Sequence, residues 1–339
     1  MGWYFTWLFF LIAITGTIIW TLLDRKGRSL EKLFFWFNLY LGYVLAIVVF
    51  GYGIDKQIPV QMRYPGAVDL LTPLGEQGRF SVLWNFMGVS PGFMMFAGAC
   101  EIIGSLLLFY RRRSVFGALF TCTILTNVVA FNWFYNIPVK LFSVQLLLYD
   151  LYLLAPFASG LWSFFFREGA SVLITQHYGF QIKWKQTTLQ AKLMIIPLVI
   201  CALSTIGVYN RYRQEQKENL RCRIYEVTSF VARDSLPPLL TDTLRWKGFV
   251  LDYRDYVVIY SMQEKTDWYH CDVDSSEKTF TLHDNPDKTT WHQFHFEYPA
   301  HDQLHLTGKW KGRDVSIWMK SLSMDSMFLN KEKITLIQE

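Results

Sequence analysis

The chain has 339 residues, of which 52% are hydrophobic and 17% aromatic, an apolar share above that of ordinary soluble domains and a length that fits two folding units. From Arg221 onward 15 Lys and Arg stand against 18 Asp and Glu, a net of −3, which leaves +8 for the residues before it. The positive charge therefore belongs to the apolar half, where it reports topology and lipid headgroup contact, and the polar half has no basic patch interleaved with aromatics, which excludes nucleic acid as a partner.

Six apolar runs are predicted to cross a bilayer, each near the roughly 20 residues a helix needs. The first, residues 3–23, opens on Met1-Gly2-Trp3-Tyr4 without a basic residue and without a small-residue cleavage site, so it reads as a retained helix. Asp24-Arg25-Lys26-Gly27-Arg28 follows, then a second run at 33–54. Asp55 to Ser90 is a long connection with Pro59, Pro65 and Pro73, predicted to hold a short helix or a re-entrant piece. Three runs then come in succession, 91–110, 114–134 and 141–157. They are separated by Arg111-Arg112-Arg113 and by the turn Tyr135-Asn136-Ile137-Pro138-Val139-Lys140. Leu161 to Arg167 reads as interfacial, aromatic with a basic end. The last run, 191–209, carries Pro197, where a kink is expected.

The short loops after the first, third and fifth runs carry Arg25, Lys26, Arg28 and Lys32, then Arg111–Arg113, then Arg167, Lys183, Lys185 and Lys192. The positive-inside rule makes that side cytoplasmic. The N-terminus, the 55–90 connection, the 135–140 turn and everything after Tyr209 are then expected outside. The cluster Arg211, Arg213 and Lys217 on the outer flank of the last run opposes that assignment.

Residues 221–339 form the second unit, after a membrane unit at 1–210. Eight short β-rich stretches are expected: 222–231, 250–253, 256–262, 268–273, 279–283, 291–298, 303–310 and 315–322. Turn signals such as Asp284-Asn285-Pro286-Asp287 and Lys311-Gly312-Arg313-Asp314 separate them. An unbroken meander of eight strands predicts an antiparallel barrel or sandwich, closed so that no edge remains. A barrel of that size has room for one small ligand or for its own side chains.

Inside the three successive runs between Pro91 and Phe157 stand Glu101, Asn127, Asn132 and Asp150, in a setting where a polar group is costly. Glu101 lies ten residues from Pro91, about 15 Å along a helix and near the bilayer midplane. Asp150 lies roughly 9 Å from the inner end on the same scale, within reach in depth. A lone ionised carboxylate there is costly, so Glu101 is expected to be protonated, paired or facing a wet cavity. The four read either as a polar pocket for a proton, quinone or lipid headgroup, or as a hydrogen-bonded network holding helices in register. Lys56, Gln61 and Arg63 border the outer mouth after the second run and Lys140 stands at the outer end of the fourth, either as solvated residues or as a pocket for an anionic group.

The first histidine is His177, so no apolar run contains one, and haem held by histidine pairs is excluded there. Six histidines lie in the polar half, and His292 and His295 point to opposite faces of their strand, so no metal site is expected. Cys222 and Cys271 lie outside the apolar runs. They read as a disulfide tying the first strand to a middle one, or as two packing thiols. No C-x-x-C pair supports a redox relay.

Over residues 33–157 the chain resembles the DoxX family of bacterial membrane proteins. The resemblance rests on Gly98-x-x-Glu101-x-x-Gly104 ahead of a basic cluster and on Leu83-Trp84-Asn85-Phe86-Met87-Gly88-x-Ser90-Pro91. It rests also on Asn127-Val128-Val129-x-x-Asn132-x-x-Tyr135-x-Ile137-Pro138-Val139-Lys140-Leu141. The family pattern often has a second glycine where Ser105 stands and an acid where Asn136 stands. The resemblance implies a four-helix membrane bundle and, as candidate roles, quinone-dependent oxidation of sulfur compounds or membership of redox-stress complexes. The tail resembles a lipocalin-like β domain in shape.

The expectation is a bacterial inner-membrane protein with six helices and a periplasmic β domain. It would bind a lipid, a quinone or a partner protein without catalysis of its own. The alternatives are a membrane subunit of a quinone-linked oxidoreductase, or a proton-coupled transporter using Glu101 and Asp150.

Overall fold

The computed structural model describes residues 2–23, 30–109, 114–166, 183–219, 223–232, 242, 244–251, 256–263, 265–283, 291–323 and 327. Among the described residues nine α-helices precede eight strands. The helices are α1 (Gly2–Leu23), α2 (Leu30–Gln57), α3 (Ala67–Leu71), α4 (Arg79–Gly88), α5 (Pro91–Phe109), α6 (Ser114–Phe134), α7 (Lys140–Leu154), α8 (Ala158–Phe166) and α9 (Lys183–Asn219). The strands are β1 (Arg223–Ala232), β2 (Trp246–Leu251), β3 (Tyr256–Ser261), β4 (Thr266–Asp274), β5 (Thr279–His283), β6 (Trp291–Glu297), β7 (Gln303–Trp310) and β8 (Arg313–Leu322). The chain divides into two compact units: Met1–Gln57 with Met95–Ile206, and Ile58–Met94 with Gly207–Glu339.

Among the described residues, five stretches are long and apolar enough to cross a membrane: Trp36–Gln57, Pro91–Phe109, Val115–Phe134, Lys140–Phe166 and Ile195–Gln214. α1 is a 22-residue helix whose residues from Leu11 to Leu23 are apolar and exposed throughout. α2 runs on to Gln57, past Asp55 and Lys56, where the sequence pattern ended the run at Ile54. The interfacial piece expected after Pro156 follows α7 with only one turn of 3-10 helix, Ala155–Phe157, in between. Its Trp162, Phe164, Phe165 and Phe166 are exposed. α9 runs through Pro197 and continues well past the apolar stretch at both ends.

Local chemistry sets the helix ends. Ser90 caps α5, its Oγ accepting from Phe93 N–H at 3.4 Å, and Pro91 takes the first helical position, where a missing N–H costs nothing. α6 ends in a Schellman turn. Asn136 adopts φ 57, and Ile137 N–H donates to the Asn132 carbonyl at 3.0 Å. Ile137 is buried, Pro138 stops the helix, and Lys140 Nζ donates to Asn136 Oδ1. The helices share one core of Leu45, Ala46 and Val49 from α2, Leu108 and Phe109 from α5, Ala118 and Leu125 from α6, and Leu146 and Leu154 from α7.

In the other unit the strands form a closed barrel in sequence order, with β8 pairing back to β1. Alternation fills its interior: Tyr225, Trp246, Phe249, Val257, Ile259, Phe280, Leu282, Phe294, Leu306, Trp310, Ile317 and Met319 belong to one buried cluster. Trp246 packs on Phe249, Phe294 and Trp310, with ring centroids 5.9, 5.6 and 5.1 Å away. The barrel is thus filled by its own aromatic side chains. Lys311 and Gly312, both at positive φ, make the two-residue turn between β7 and β8.

The opposite parity of β1–β3 makes a second apolar patch on the barrel's outer face: Ile224, Val250, Val258 and Tyr260. The connection covers it. Ala67 is buried in that cluster, Val68 and Leu71 pack on it, and Tyr260 Oη donates to the Val68 carbonyl at 3.3 Å. Behind α3, Trp84 Nε1 of α4 donates to the Gln61 carbonyl at 2.8 Å, and Gln77 Nε2 donates to the carbonyls of Asp69 and Thr72. The long connection is therefore a folded piece of the barrel unit.

β6 and β7 approach closely at Gly308, where a Cβ would lie 2.4 Å from the Gln293 carbonyl oxygen and 2.9 Å from Phe294 Cα. Gly308→Ala is expected to destabilise the barrel unit by about 1–3 kcal/mol through overpacking. Denaturant unfolding of the full chain in detergent, followed by near-UV circular dichroism, measures it.

Candidate functional site

α2 and α5 run antiparallel at close range, and glycine makes that range possible. A Cβ on Gly53 would lie 2.7 Å from Ile102 Cγ1 and 2.8 Å from the Gly98 carbonyl oxygen. A Cβ on Gly98 would lie 2.7 Å from the Gly53 carbonyl oxygen and 2.9 Å from Lys56 Cβ. The resulting contact carries a ladder of polar bonds. Gln57 Nε2 donates to the Met95 carbonyl at 2.5 Å, and Ser105 Oγ donates to the Ala46 carbonyl at 2.8 Å. Between them, Lys56 Nζ donates to both carboxylate oxygens of Glu101, each at 2.8 Å.

Lys56 and Glu101 are both buried, at 8% and 5% exposure, so the pair is withdrawn from solvent as a unit. Lys56 Nζ also lies 5.7 Å from the centre of the Tyr52 ring, one turn earlier on α2. Sequence pattern separates these residues, with Lys56 at an outer mouth and Glu101 in the interior; the structure joins them in one site. The reason is that α2 does not stop at its first charge. A lysine with an acid to meet can stay inside the helix, because the charge it brings is cancelled. The pairing spans 45 residues, and no local spacing announces it.

The remaining expected residues distribute as follows. Asp150 is fully buried on the face of α7 that also carries Ser143, Leu146 and Leu154. Thr121 Oγ1 of α6 lies 2.8 Å from Asp150 Oδ2. Glu101 and Asp150 thus have different partners, and no hydrogen bond or ion pair among the described residues joins them. Asn127 is exposed. Asn132 is buried and enters the turn after α6 through its backbone carbonyl, and Lys140 bonds within the same turn. Gln61 gives its backbone carbonyl to Trp84, its side-chain oxygen is buried without a partner, and Arg63 is half-buried. The backbone of Arg63 lies against Gly88, where a Cβ would meet its carbonyl oxygen at 2.0 Å. Lys56 thus belongs to the interior pair and Lys140 to the α6–α7 turn, whereas Gln61 and Arg63 belong to the barrel unit.

Cys222 lies outside the described residues, so the Cys222–Cys271 pairing does too; Cys271 is buried in the barrel core. On the barrel's outer face His283 Nε2 lies 3.1 Å from Asp272 Oδ2, while His305 stacks on Trp318 at 4.1 Å and meets Ser316 Oγ at 2.8 Å. Among the described residues no three His, Cys, Asp or Glu side chains stand in a geometry that would hold a metal ion.

The three residues of Gly98-x-x-Glu101-x-x-Gly104 all have definite roles here. Gly98 admits α2, Glu101 binds Lys56, and Gly104 admits α6, where a Cβ would lie 2.8 Å from Thr121 Cγ2. No single-helix periodicity reveals this, because each residue answers to a different neighbour.

No family model matches the chain, and no solved structure matches it. It is 31% identical over 110 residues to "Uncharacterized protein YwoB" of Bacillus subtilis (strain 168), a match that covers 32% of this chain and 70% of that one. The chain belongs to the same family as that protein.

Removing one member of the buried pair leaves the other charge without compensation. Glu101→Leu and Lys56→Met are each expected to cost about 3–5 kcal/mol, and the double variant Lys56→Met/Glu101→Leu less than either. A double-mutant cycle from thermal unfolding in detergent reads the coupling; additive losses would contradict it.

Proposed function

We propose that this member of the YwoB family is a multi-pass protein of the bacterial inner membrane. Its helical unit is an anchored, DoxX-like scaffold, and its β-barrel unit binds or assembles with other components outside the cytoplasm. It acts as a non-enzymatic binding or complex-forming component, with a membrane lipid, a quinone or a partner membrane or periplasmic protein as the bound species. The observation that carries this reading is the way each unit uses its own interior. The barrel is packed with its own aromatic rings, and Glu101 is engaged at both oxygens by Lys56. Interiors spent on structure leave outer surfaces for recognition.

Membrane insertion is supported by the five long apolar helices and by large apolar side chains exposed along them, among them Phe96, Phe116, Trp133, Leu141, Ile196 and Leu203. In lipid those side chains need no further cover. Sidedness is supported by two independent features. Basic residues concentrate at 25–32, 111–113 and 167–192, in loops and adjoining helix ends on the side opposite to the 55–90 connection. That connection packs on the barrel through α3, so both must reach the same compartment.

A quinone-linked oxidoreductase subunit or a proton-coupled transporter would draw on Glu101 as an exchanging acid. Its two-oxygen contact with Lys56 favours a fixed pair instead.

The sidedness is tested with a membrane-impermeant maleimide on cells carrying Ser275→Cys, at the exposed β4–β5 turn, in a background where the five native cysteines are replaced by serine or alanine. Labelling is expected once the outer membrane, if the host has one, is opened. Labelling only after lysis of the cytoplasmic membrane would overturn the proposed orientation.

A further inference from the structure

Asp150 and Glu101 are buried carboxyl groups of the same helical unit, and only one of them has a cation. Lys56 neutralises Glu101. Asp150 has no ion-pair partner among the described residues, and its Oδ1 is buried without any hydrogen bond. Its surroundings are apolar: Leu146 and Leu154 lie one turn before and one turn after it on the same face of α7. The core it shares takes Leu45, Ala46 and Val49 from α2, Leu108 and Phe109 from α5, and Ala118 and Leu125 from α6. The titratable side chain on α6 that acts on it electrostatically is Cys122, which offers no positive charge. An ionised carboxylate in such a place is far more costly than a neutral acid.

The hydrogen bonds around Thr121 point the same way. Its Oγ1 lies 2.9 Å from the Gly117 carbonyl, 3.2 Å from the Ala118 carbonyl and 2.8 Å from Asp150 Oδ2. A hydroxyl has one proton to give. If Thr121 gives it to Asp150, the short contact to Gly117 is left without a proton. If Asp150 carries a proton on Oδ2 and gives it to Thr121 Oγ1, the threonine proton is free for the Gly117 carbonyl, and both short contacts are satisfied. Oδ1 then becomes the carbonyl oxygen of a neutral acid, for which a missing partner costs much less than for a carboxylate.

We infer that Asp150 is a proton-binding site: a neutral carboxylic acid at neutral pH that donates to Thr121 Oγ1, in a relay that ends on the Gly117 carbonyl. The helical unit thus neutralises the two buried acids among its described residues by different means, one with a lysine and one with a proton. Asp150 can release its proton only if the α6–α7 contact admits water or a cation, so proton release is coupled to opening of that contact. This inference does not depend on what the barrel unit binds.

Infrared spectroscopy of the full-length protein in lipid vesicles at neutral pH tests it. The expected result is a carbonyl stretch of a protonated carboxylic acid that shifts in heavy water. The band should shift when the protein is made with aspartate carrying heavy carbon in its side-chain carboxyl, should be lost in Asp150→Asn, and should be retained in Lys56→Met/Glu101→Leu. Should Asp150→Asn not fold, Thr121→Val serves instead: removing the acceptor should move the band to higher frequency. Absence of the band in the wild type would overturn the proposal, as would a band unmoved by labelled aspartate or by both substitutions at this contact.

Discussion

Charge inside an apolar bundle has to be cancelled, and the Lys56–Glu101 pair is where this chain meets that requirement. The ammonium reaches both carboxylate oxygens at 2.8 Å only because two helix backbones come together at Gly53 and Gly98. Close approach, in turn, places Gln57 against the Met95 carbonyl and Ser105 against the Ala46 carbonyl. α5 is held against α2 on one side and, through Gly104, against Thr121 of α6 on the other. Thr121 then meets Asp150 of α7. A chain of contacts thus runs through four helices, with the ion pair at one end and a single carboxyl group at the other. Such bonds fix the register of helices whose apolar surfaces alone would tolerate sliding.

The barrel unit solves a different problem. Closure of β8 onto β1 removes the exposed edges of the sheet, and alternate residues fill the inside. What closure does not solve is the apolar outer face of β1–β3, which water would otherwise meet. The connection between α2 and α5 supplies the cover, with Ala67 buried and Val68 bonded to Tyr260. The unit is therefore discontinuous in sequence, built from Ile58–Met94 and from the C-terminal residues.

Much of this was legible in the residues. β7 and β8 alternate cleanly around a Lys311-Gly312 turn, and the eight-stranded meander with its antiparallel order followed from such stretches. Alternation places the start of β2 at Val250, whereas the strand begins at Trp246, because the register shift near Gly248 breaks the alternation. The apolar pattern cuts α2 and α9 short for one common reason. Hydropathy ends a helix at its first charges, whereas Lys, Gln and Glu are good helix formers and carry it further. The importance of Glu101 could be read from its depth in an apolar run. Its partner could not, since a contact 45 residues distant leaves no periodic trace. The split of the barrel unit across the chain was invisible for the same reason, because α3 has only five residues and no pattern of its own.

The docking of α3 on the barrel also has a consequence in time. Ribosomes deliver α3 long before β1, with six further helices among the described residues made in between. Until β1, β2 and β3 have emerged and paired, Ala67, Val68 and Leu71 have no surface to cover, and the outer patch of the barrel has no lid. The first-made part of the unit therefore waits for the last-made part, and the unit closes only after the whole helical segment has been threaded. Assembly of this protein is retrospective: a late strand gives an early helix its place.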